Sequence, residues 1–349
     1  MGSKENELNP HKCFVMYRYP KQSAIHILAP QKIQYLTSIE ELSKIEKGFV
    51  FAPFNTENEP IIIFTDCKHN EYEPSKYGNA ISISERNDQI SDSYTTDFKA
   101  FKQAIQNKKF SKIVLARTLE VEVNSAPINF FTDACETYPN SYIYLFVNDK
   151  DIWFGATPEI LIEGDAEKMH TISLAGTMLR SNDLPDISAW DNKNIKEQKI
   201  VTDYILSQIQ PFSTDITTIG PYSVPAAHLI HLRTDISFKI TKDALPQVIA
   251  ALHPTPAVCG LPKNESIDFI TKNEHIKREY YAGFLGWYNP TEQTQLFVNL
   301  RCMKWIDTKK VRLFSGGGIL AESELESEWT ETENKMRTLL NLSSFQAKS

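Results

Sequence analysis

The sequence predicts an α+β fold with a mostly antiparallel β-sheet core and helices packed outside it. Three observations lead there. Short runs rich in β-branched and aromatic residues recur along the chain, mostly joined by turn residues. Between them lie segments whose apolar residues repeat at helical spacing. The 349 residues, 41% hydrophobic and 23% charged, have ordinary globular proportions, enough for one large domain or two small ones.

Taken in order, "MGSKENELNP" has no apolar signal core and reads as a solvated start. "GFVFAPF" and "PIIIFTD" read as strands. The stretch around residues 69 to 97 is polar and punctuated by Pro and Gly, as a loop or linker is. "DFKAFKQAIQNKKF" sets Phe98, Phe101 and Ile105 at helical spacing. "SKIVLARTLEVEV" reads as a strand, and "SYIYLFVNDKDIWFGA" as a hairpin turning at "NDKD". Further strands are expected at "EILIEG", "HTISLAG", "HLRTDISFKI", "TQLFVNLRCMKW" and "KVRLFSGGG". Helices are expected at about 193–210, 242–251, 271–281 and 328–341. No repeat is visible.

The formal net charge of -7 argues against a nucleic-acid surface, which needs a basic patch. On an acidic protein, a small anionic substrate needs local cations or a metal. The five cysteines are scattered, odd in number and without a CxxC pair, so neither a disulfide framework nor a zinc knuckle is expected. No apolar run approaches the roughly 20 residues that span a bilayer. These features lead to the expectation of a soluble, cytoplasmic protein with no membrane partner.

Several residues have both a plain and a chemical reading. Glu197 lies one turn before Val201 and so falls on the apolar stripe Val201, Tyr204, Ile205, Ile209. A carboxylate there is costly unless paired or metal-bound, unless it sits in a fraying first turn. Glu328 and Glu331 are three apart on one helix face, with Lys335 four beyond. They are either an exposed ion-pair set or a grip for a divalent cation. The glycine triplet Gly316–Gly318 just before them reads as a turn that admits a ligand close to the backbone. Lys112 is a surface lysine at a strand end, or an amine able to take a proton near neutral pH. Glu159 is a strand-edge residue, or a carboxyl group kept protonated as an acid. His231 sits among apolar residues, where a histidine is more often a satisfied core residue than a catalyst. No Walker loop, dinucleotide fingerprint or zincin motif is present.

In combination, "SKIVLAR", "FGATPEILIE", "SLAGTMLR", "LHPTPAVCGLP", "REYYAGFLGW", "VNLRC", "FSGGGI" and "EWTETENK" resemble the chorismate-utilising enzymes in wording, order and spacing. The resemblance covers residues 96–345, the expected chorismate-binding catalytic region. Residues 1–95 are less diagnostic and are expected to belong to the same single large domain. Within the family the wording is most similar to isochorismate synthases. The resemblance implies a Mg²⁺-dependent conversion of chorismate to isochorismate by water addition at ring carbon 2 and loss of the carbon-4 hydroxyl. It implies Lys112 as general base and Glu159 as general acid, with His231 at the ring face. It implies Glu197 and Glu331 as Mg²⁺ ligands, with Glu328 in support. Tyr281, Arg301, the Gly316 backbone and Lys335 would hold the enolpyruvyl carboxylate. Gly176 and Thr177 would line the ring carboxylate, and Ala257 belongs to the "PTPAV" wording. Relatives commonly carry Glu-His where this chain has Glu197-Gln198, a departure that leaves the implied ligand in place. The resemblance also implies a monomer, serving menaquinone or siderophore biosynthesis.

Three alternatives remain open at this point. Salicylate synthases go on to eliminate pyruvate, and resemble this chain except that they carry Thr where it has Ala257. Anthranilate synthases share that Thr and usually a tryptophan-binding segment. A catalytically silent chorismate-binding or regulatory protein is the third. Aminodeoxychorismate synthases place a lysine where this chain has Ala175.

Overall fold

Two nine-stranded sheets, antiparallel at each pairing, account for the strands among the described residues. The structure is a computed structural model and describes residues 13–72, 89–165, 167–179, 184–226 and 229–345. The first sheet runs β14 (Gly260–Leu261), β7 (Lys112–Glu122), β18 (Lys310–Ile319), β17 (Cys302–Asp307), β9 (Ile152–Thr157), β8 (Tyr142–Val147), β1 (Phe14–Arg18), β2 (Ile25–Ala29), β6 (Lys68–Tyr72). The second runs β12 (Ser213–Ala226), β13 (Leu229–Ile240), β11 (Lys168–Leu179), β10 (Ile160–Asp165), β16 (Thr294–Val298), β15 (Phe284–Tyr288), β4 (Gly48–Ala52), β5 (Ile61–Thr65), β3 (Lys32–Leu36). Six helices lie among the described residues: α1 (Asp92–Gln106), α2 (Pro127–Thr137), α3 (Asn192–Ile209), α4 (Leu245–Leu252), α5 (Lys263–Asn273) and α6 (Leu325–Leu340). This is the α+β, antiparallel, single-domain architecture that the sequence predicts.

The apolar strands are continuous runs rather than alternating ones because they are buried throughout. In β4, β5 and β8 every residue is buried. Phe49, Phe51 and Phe64 of the second sheet stack on Phe146 of the first, which joins the two inner faces. On α1, Phe98, Phe101 and Ile105 form the buried stripe their spacing predicts.

Two crossings between the sheets prepare the site. The chain passes from the first sheet to the second between β9 and β10, at Pro158–Glu159. It passes back between β16 and β17, at Asn299–Arg301. The crossings are tied to each other: Val298 N–H donates to Glu159 C=O (2.9 Å), and Ala156 N–H to Arg301 C=O (3.0 Å). "TQLFVNLRCMKW", expected as one strand, is therefore two. Arg301 at the break has φ of 49°, a conformation non-glycine residues rarely hold without support.

Other expectations shift as well. The helix expected at 271–281 does not form: only its first three residues are helical, as the end of α5, which stops at Asn273. Glu274 and Arg278 have helical i,i+4 spacing, but they form a buried ion pair (2.7 Å) whose hydrogen bonds go to β7. Glu274 accepts from Ala116 N–H, and Arg278 donates to Val114 C=O, each at 2.7 Å. The pair stands where a neighbouring strand would. The expected loop around 69–97 is shorter than predicted, since β6 runs to Tyr72 and α1 begins at Asp92. Residues 73–88 and the N-terminal "MGSKENELNP" lie outside the described residues. α3 spans the predicted 193–210 to within a residue, and α6 begins three residues before the predicted 328. A short 3-10 turn, Lys242–Ala244, precedes α4 where one helix was expected over 242–251. β1, β2, β3, β6, β12, β14, β15 and α2 match no element expected from the sequence. No described helix is long and apolar enough to cross a membrane.

Candidate active site

The glycine triplet is not a turn. Gly316, Gly317 and Gly318 lie inside β18, opposite Ala116, Leu115 and Val114 of β7. Their use is the space that missing side chains leave. A Cβ on Gly316 would stand 2.9 Å from the Tyr281 hydroxyl, and one on Gly318 would stand 2.6 Å from Glu197 Oε1 and 2.9 Å from Lys112 Cε. One on Gly317 would meet Glu328 Oε2 at 3.2 Å and Glu331 Oε1 at 3.7 Å. At Gly318 the strand admits side chains from α3 and β7 closer than a side chain there would permit, and at Gly317 it leaves a snug fit for Glu328 of α6.

A cavity opens beside this strand. It is lined by Glu159, Gly176, Thr177, Glu197, His231, Ala257, Tyr281, Arg301, Gly316 and Lys335, with Val114, Leu174, Ala175, Phe314 and Ser315 among the rest. Ten of the thirteen residues singled out from sequence meet there. Lys112, Glu328 and Glu331 stand just behind its wall.

Each of the three glutamates Glu197, Glu328 and Glu331 is paired with a lysine. Lys112, with no exposed side-chain surface, lies 2.7 Å from Glu197 Oε1, in an orientation that makes an ion pair but no hydrogen bond. Lys193 Nζ lies 2.5 Å from Glu328 Oε1, and Lys335 Nζ 2.7 Å from Glu331 Oε1. Lys335 also donates to Gly316 C=O at 2.8 Å. The plain readings are thereby settled. Lys112 is not a surface lysine, and Glu197 lies in the second turn of α3, past any fraying first turn. The Glu331–Lys335 pair forms as its spacing suggests, but largely buried. Burial and the Glu331 charge push the Glu328 carboxyl up. Burial raises Glu331 too, but Lys335 and Lys193 outweigh it and hold that carboxyl low.

Glu159 faces the cavity 4% exposed. Burial pushes its carboxyl up to about 7, against the opposing charges of Lys112, Lys335 and Arg301. His231 is pushed down to about 3 by burial and then by Arg301, so its ring is neutral. Its Nδ1 is 2.8 Å from Gly176 C=O, which can only accept, so Nδ1 carries the proton. Nε2 then accepts from Arg301 Nη2 at 3.4 Å. Arg301, lowered to about 10 by burial, remains a cation, and its Nη1 donates to Lys335 C=O at 3.1 Å. Tyr281 stacks on Phe314, with ring centroids 5.5 Å apart. Gly176 has φ of 74°, and the Thr177 N–H that follows donates to Asn194 Oδ1 at 3.0 Å. Gln198 is buried and donates to Ser173 C=O and Thr234 Oγ1.

The donor set around Gly317 and Gly318 suits a hard divalent cation: carboxylate oxygens only, with Glu328 Oε2 buried and without a close hydrogen bond. In the arrangement with the lysines, no three such side chains converge on one point among the described residues. Lys193 and Asn194 were missed from sequence. The available signal was the four-residue step from Lys193 to Glu197 on one helix face.

The chain matches the family described as chorismate binding enzyme over residues 57–343. It is 30% identical over 253 residues to isochorismate synthase MenF of Escherichia coli (strain K12), covering 69% of this chain and 58% of that one. It is 28% identical over 257 residues to isochorismate synthase DhbC of Bacillus subtilis (strain 168), covering 68% and 64%. The matched regions thus span 58% and 64% of the length of these two curated relatives. The solved structure of MenF, the menaquinone-specific isochorismate synthase from Escherichia coli, has a TM-score of 0.78 over 95% of this chain and 90% of that one. At 20% identity that likeness is one of fold.

Proposed function

The chain belongs to the chorismate binding enzyme family, and on that premise we propose that it is an isochorismate synthase. The reading is supported by one juxtaposition. A buried carboxyl group raised to about 7, Glu159, faces the same cavity as Glu197, the partner of Lys112, and the cations Arg301 and Lys335.

The reaction exchanges one hydroxyl for another. A bond forms between water oxygen and ring carbon 2, the ring double bonds shift, and the carbon-4 to oxygen bond breaks. Water is a poor nucleophile and hydroxide a poor leaving group, so each needs a proton partner. Lys112 takes the proton from the attacking water, and Glu159 gives its proton to the departing hydroxyl. For Lys112 to accept a proton, Glu197 must first turn to another cation. Arg301, Lys335, Tyr281 and the Gly316 backbone hold the enolpyruvyl carboxylate. Gly176 and Thr177 line the ring carboxylate, and the neutral His231 lies against the ring. Glu197 and Glu331, with Glu328 in support, would hold Mg²⁺, which when bound supplies positive charge to the ring carboxylate. The proposal takes the protein to be a cytoplasmic monomer; sedimentation at working concentration checks the oligomeric state.

Chorismate plus Mg²⁺, followed by chromatographic separation of products, tests the proposal. Isochorismate alone is expected, and excess EDTA should abolish its formation. Salicylate with stoichiometric pyruvate would make the protein a salicylate synthase. Chorismate binding without turnover would make it a silent binding protein. We further propose menaquinone rather than a catechol siderophore as the destination, to be read from which of the two a deletion strain loses.

A further inference from the structure

Building on the divalent-cation reading above, we propose that Lys193 is the resident counter-cation of the carboxylate cluster and competes with the divalent cation for it. Metal entry then requires the Lys193 ammonium to withdraw.

Lys193 Nζ lies 2.5 Å from Glu328 Oε1, and that glutamate side chain has no exposed surface. The charges of Glu331 and Glu197 also act on Lys193, so it answers to all three carboxylates. The second oxygen of Glu328 is buried without a close hydrogen bond, and the Ser323 hydroxyl acts on the carboxylate more weakly than Lys193 does, so the lysine satisfies the cluster only in part. Buried carboxylates cannot stand together uncompensated. Some cation must be present whether or not a metal is, and the structure supplies it from the protein.

The three lysines of the site are not equally free to leave. Lys112 is enclosed entirely, and Lys335 is tied by a second bond to Gly316 C=O. Lys193 holds Glu328 from the first turn of α3, and 22% of its side chain is exposed, so a change of rotamer carries the ammonium to water. It lies four residues before Glu197 on the same helix face, so its departure opens the space beside that ligand. The exchange of one cation for another keeps the cluster compensated throughout.

The test is titration of MgCl₂ alone into wild type and Lys193→Met by calorimetry, with thermal melts with and without Mg²⁺. Methionine keeps the stem and removes the charge. Lys193→Met should bind Mg²⁺ about tenfold more tightly. Without metal it should melt below wild type, and Mg²⁺ should close that gap. Lys193→Gln serves as a second variant with the same expectation should the methionine form fold poorly. Lys199→Met removes a lysine paired only with the exposed Asp203, and should change neither readout. A wild type that binds Mg²⁺ while the Lys193 variants bind it equally or more weakly would overturn the competition and leave the metal reading intact. The absence of Mg²⁺ binding from wild type and variants alike would overturn both. A melting loss that Mg²⁺ does not restore would make Lys193 a structural ion-pair partner only, which also overturns the inference.

Discussion

Glu159 holds its proton near neutral pH because it has almost no water around it, and three nearby cations do not fully offset that loss. The same feature has a stability consequence of definite sign. The folded value, about 7, lies above the unfolded value near 4.5. Between these the folded chain binds a proton that the unfolded chain has released, so the contribution is fully present below about pH 4.5 and is lost as pH rises through about 7. Burying this acid thus costs up to about 3 kcal/mol at alkaline pH. Glu159→Gln should lower turnover by about 10²–10⁴-fold while chorismate affinity stays within a few-fold. It should also melt above wild type at about pH 8, and by less at about pH 5. Wild-type kcat should decline as pH rises past about 7. Near-normal rates in the variant, with a flat profile in wild type, would remove Glu159 as the acid. Ala257 carries a second expectation at this scale. It lines the cavity, at the position where the resemblance noted from the motifs puts Thr in pyruvate-eliminating enzymes. Elimination needs the hydrogen on ring carbon 2 to reach the enolpyruvyl methylene, and an added methyl and hydroxyl would favour that folded pose. A barrier difference of about 1.4 kcal/mol changes a product ratio tenfold. Ala257→Thr should therefore raise the pyruvate fraction, measured by coupled lactate dehydrogenase beside isochorismate. An unaltered ratio would exclude Ala257 as the determinant.

β18 shows how an element can carry function by omission. Its three glycines pair normally with β7 and lack the positive φ that would exclude alanine. Elsewhere a strand Gly→Ala change is tolerated or stabilising by about 0.4–1 kcal/mol. At Gly318 the new methyl would fall 2.6 Å from Glu197 Oε1 and 2.9 Å from Lys112 Cε, so the ends of both flexible side chains must shift from their paired positions. Gly318→Ala should fold with a circular dichroism spectrum and melting temperature close to wild type, yet lose about 100-fold or more in rate, as small displacements of reacting groups do. Retained activity would show that the Lys112–Glu197 pair tolerates displacement. α6 is positioned with similar economy. Arg117 of β7 stacks on Trp329, 3.6 Å from the ring centroid, donates to Thr332 Oγ1 at 2.6 Å and pairs with Glu333. The helix therefore presents Glu328, Glu331 and Lys335 to β18.

At the scale of the molecule, the site lies on the seam between the sheets. β7 and β18 of the first supply Lys112 and Gly316, β11 and β13 of the second supply Gly176, Thr177 and His231, and the two crossings supply Glu159 and Arg301. The cavity is lined from both sides of that seam, by Gly316 on one and by Gly176, Thr177 and His231 on the other, so a ligand within it touches both. With Glu159→Gln, chorismate and Mg²⁺, amide hydrogen exchange should slow together in Gly176–Met178 and in Leu325–Lys335. Slowing confined to one side would show that the ligand does not bridge the sheets. The sequence by itself determined the fold class, the long strands other than β12, and α1, α3 and α6, because apolar periodicity is a local property of the chain. It also determined which residue types gather, through motifs whose wording is itself local. Only the tertiary structure decided that the glycines form a strand, that Arg301 sits at a break, that Glu274 and Arg278 are not helical, and that Lys193 belongs to the site. The physical reason is that burial and pairing are not local. Lys193 meets Glu328 from 135 residues away, and the proton on Glu159 is held by the water that two packed sheets exclude.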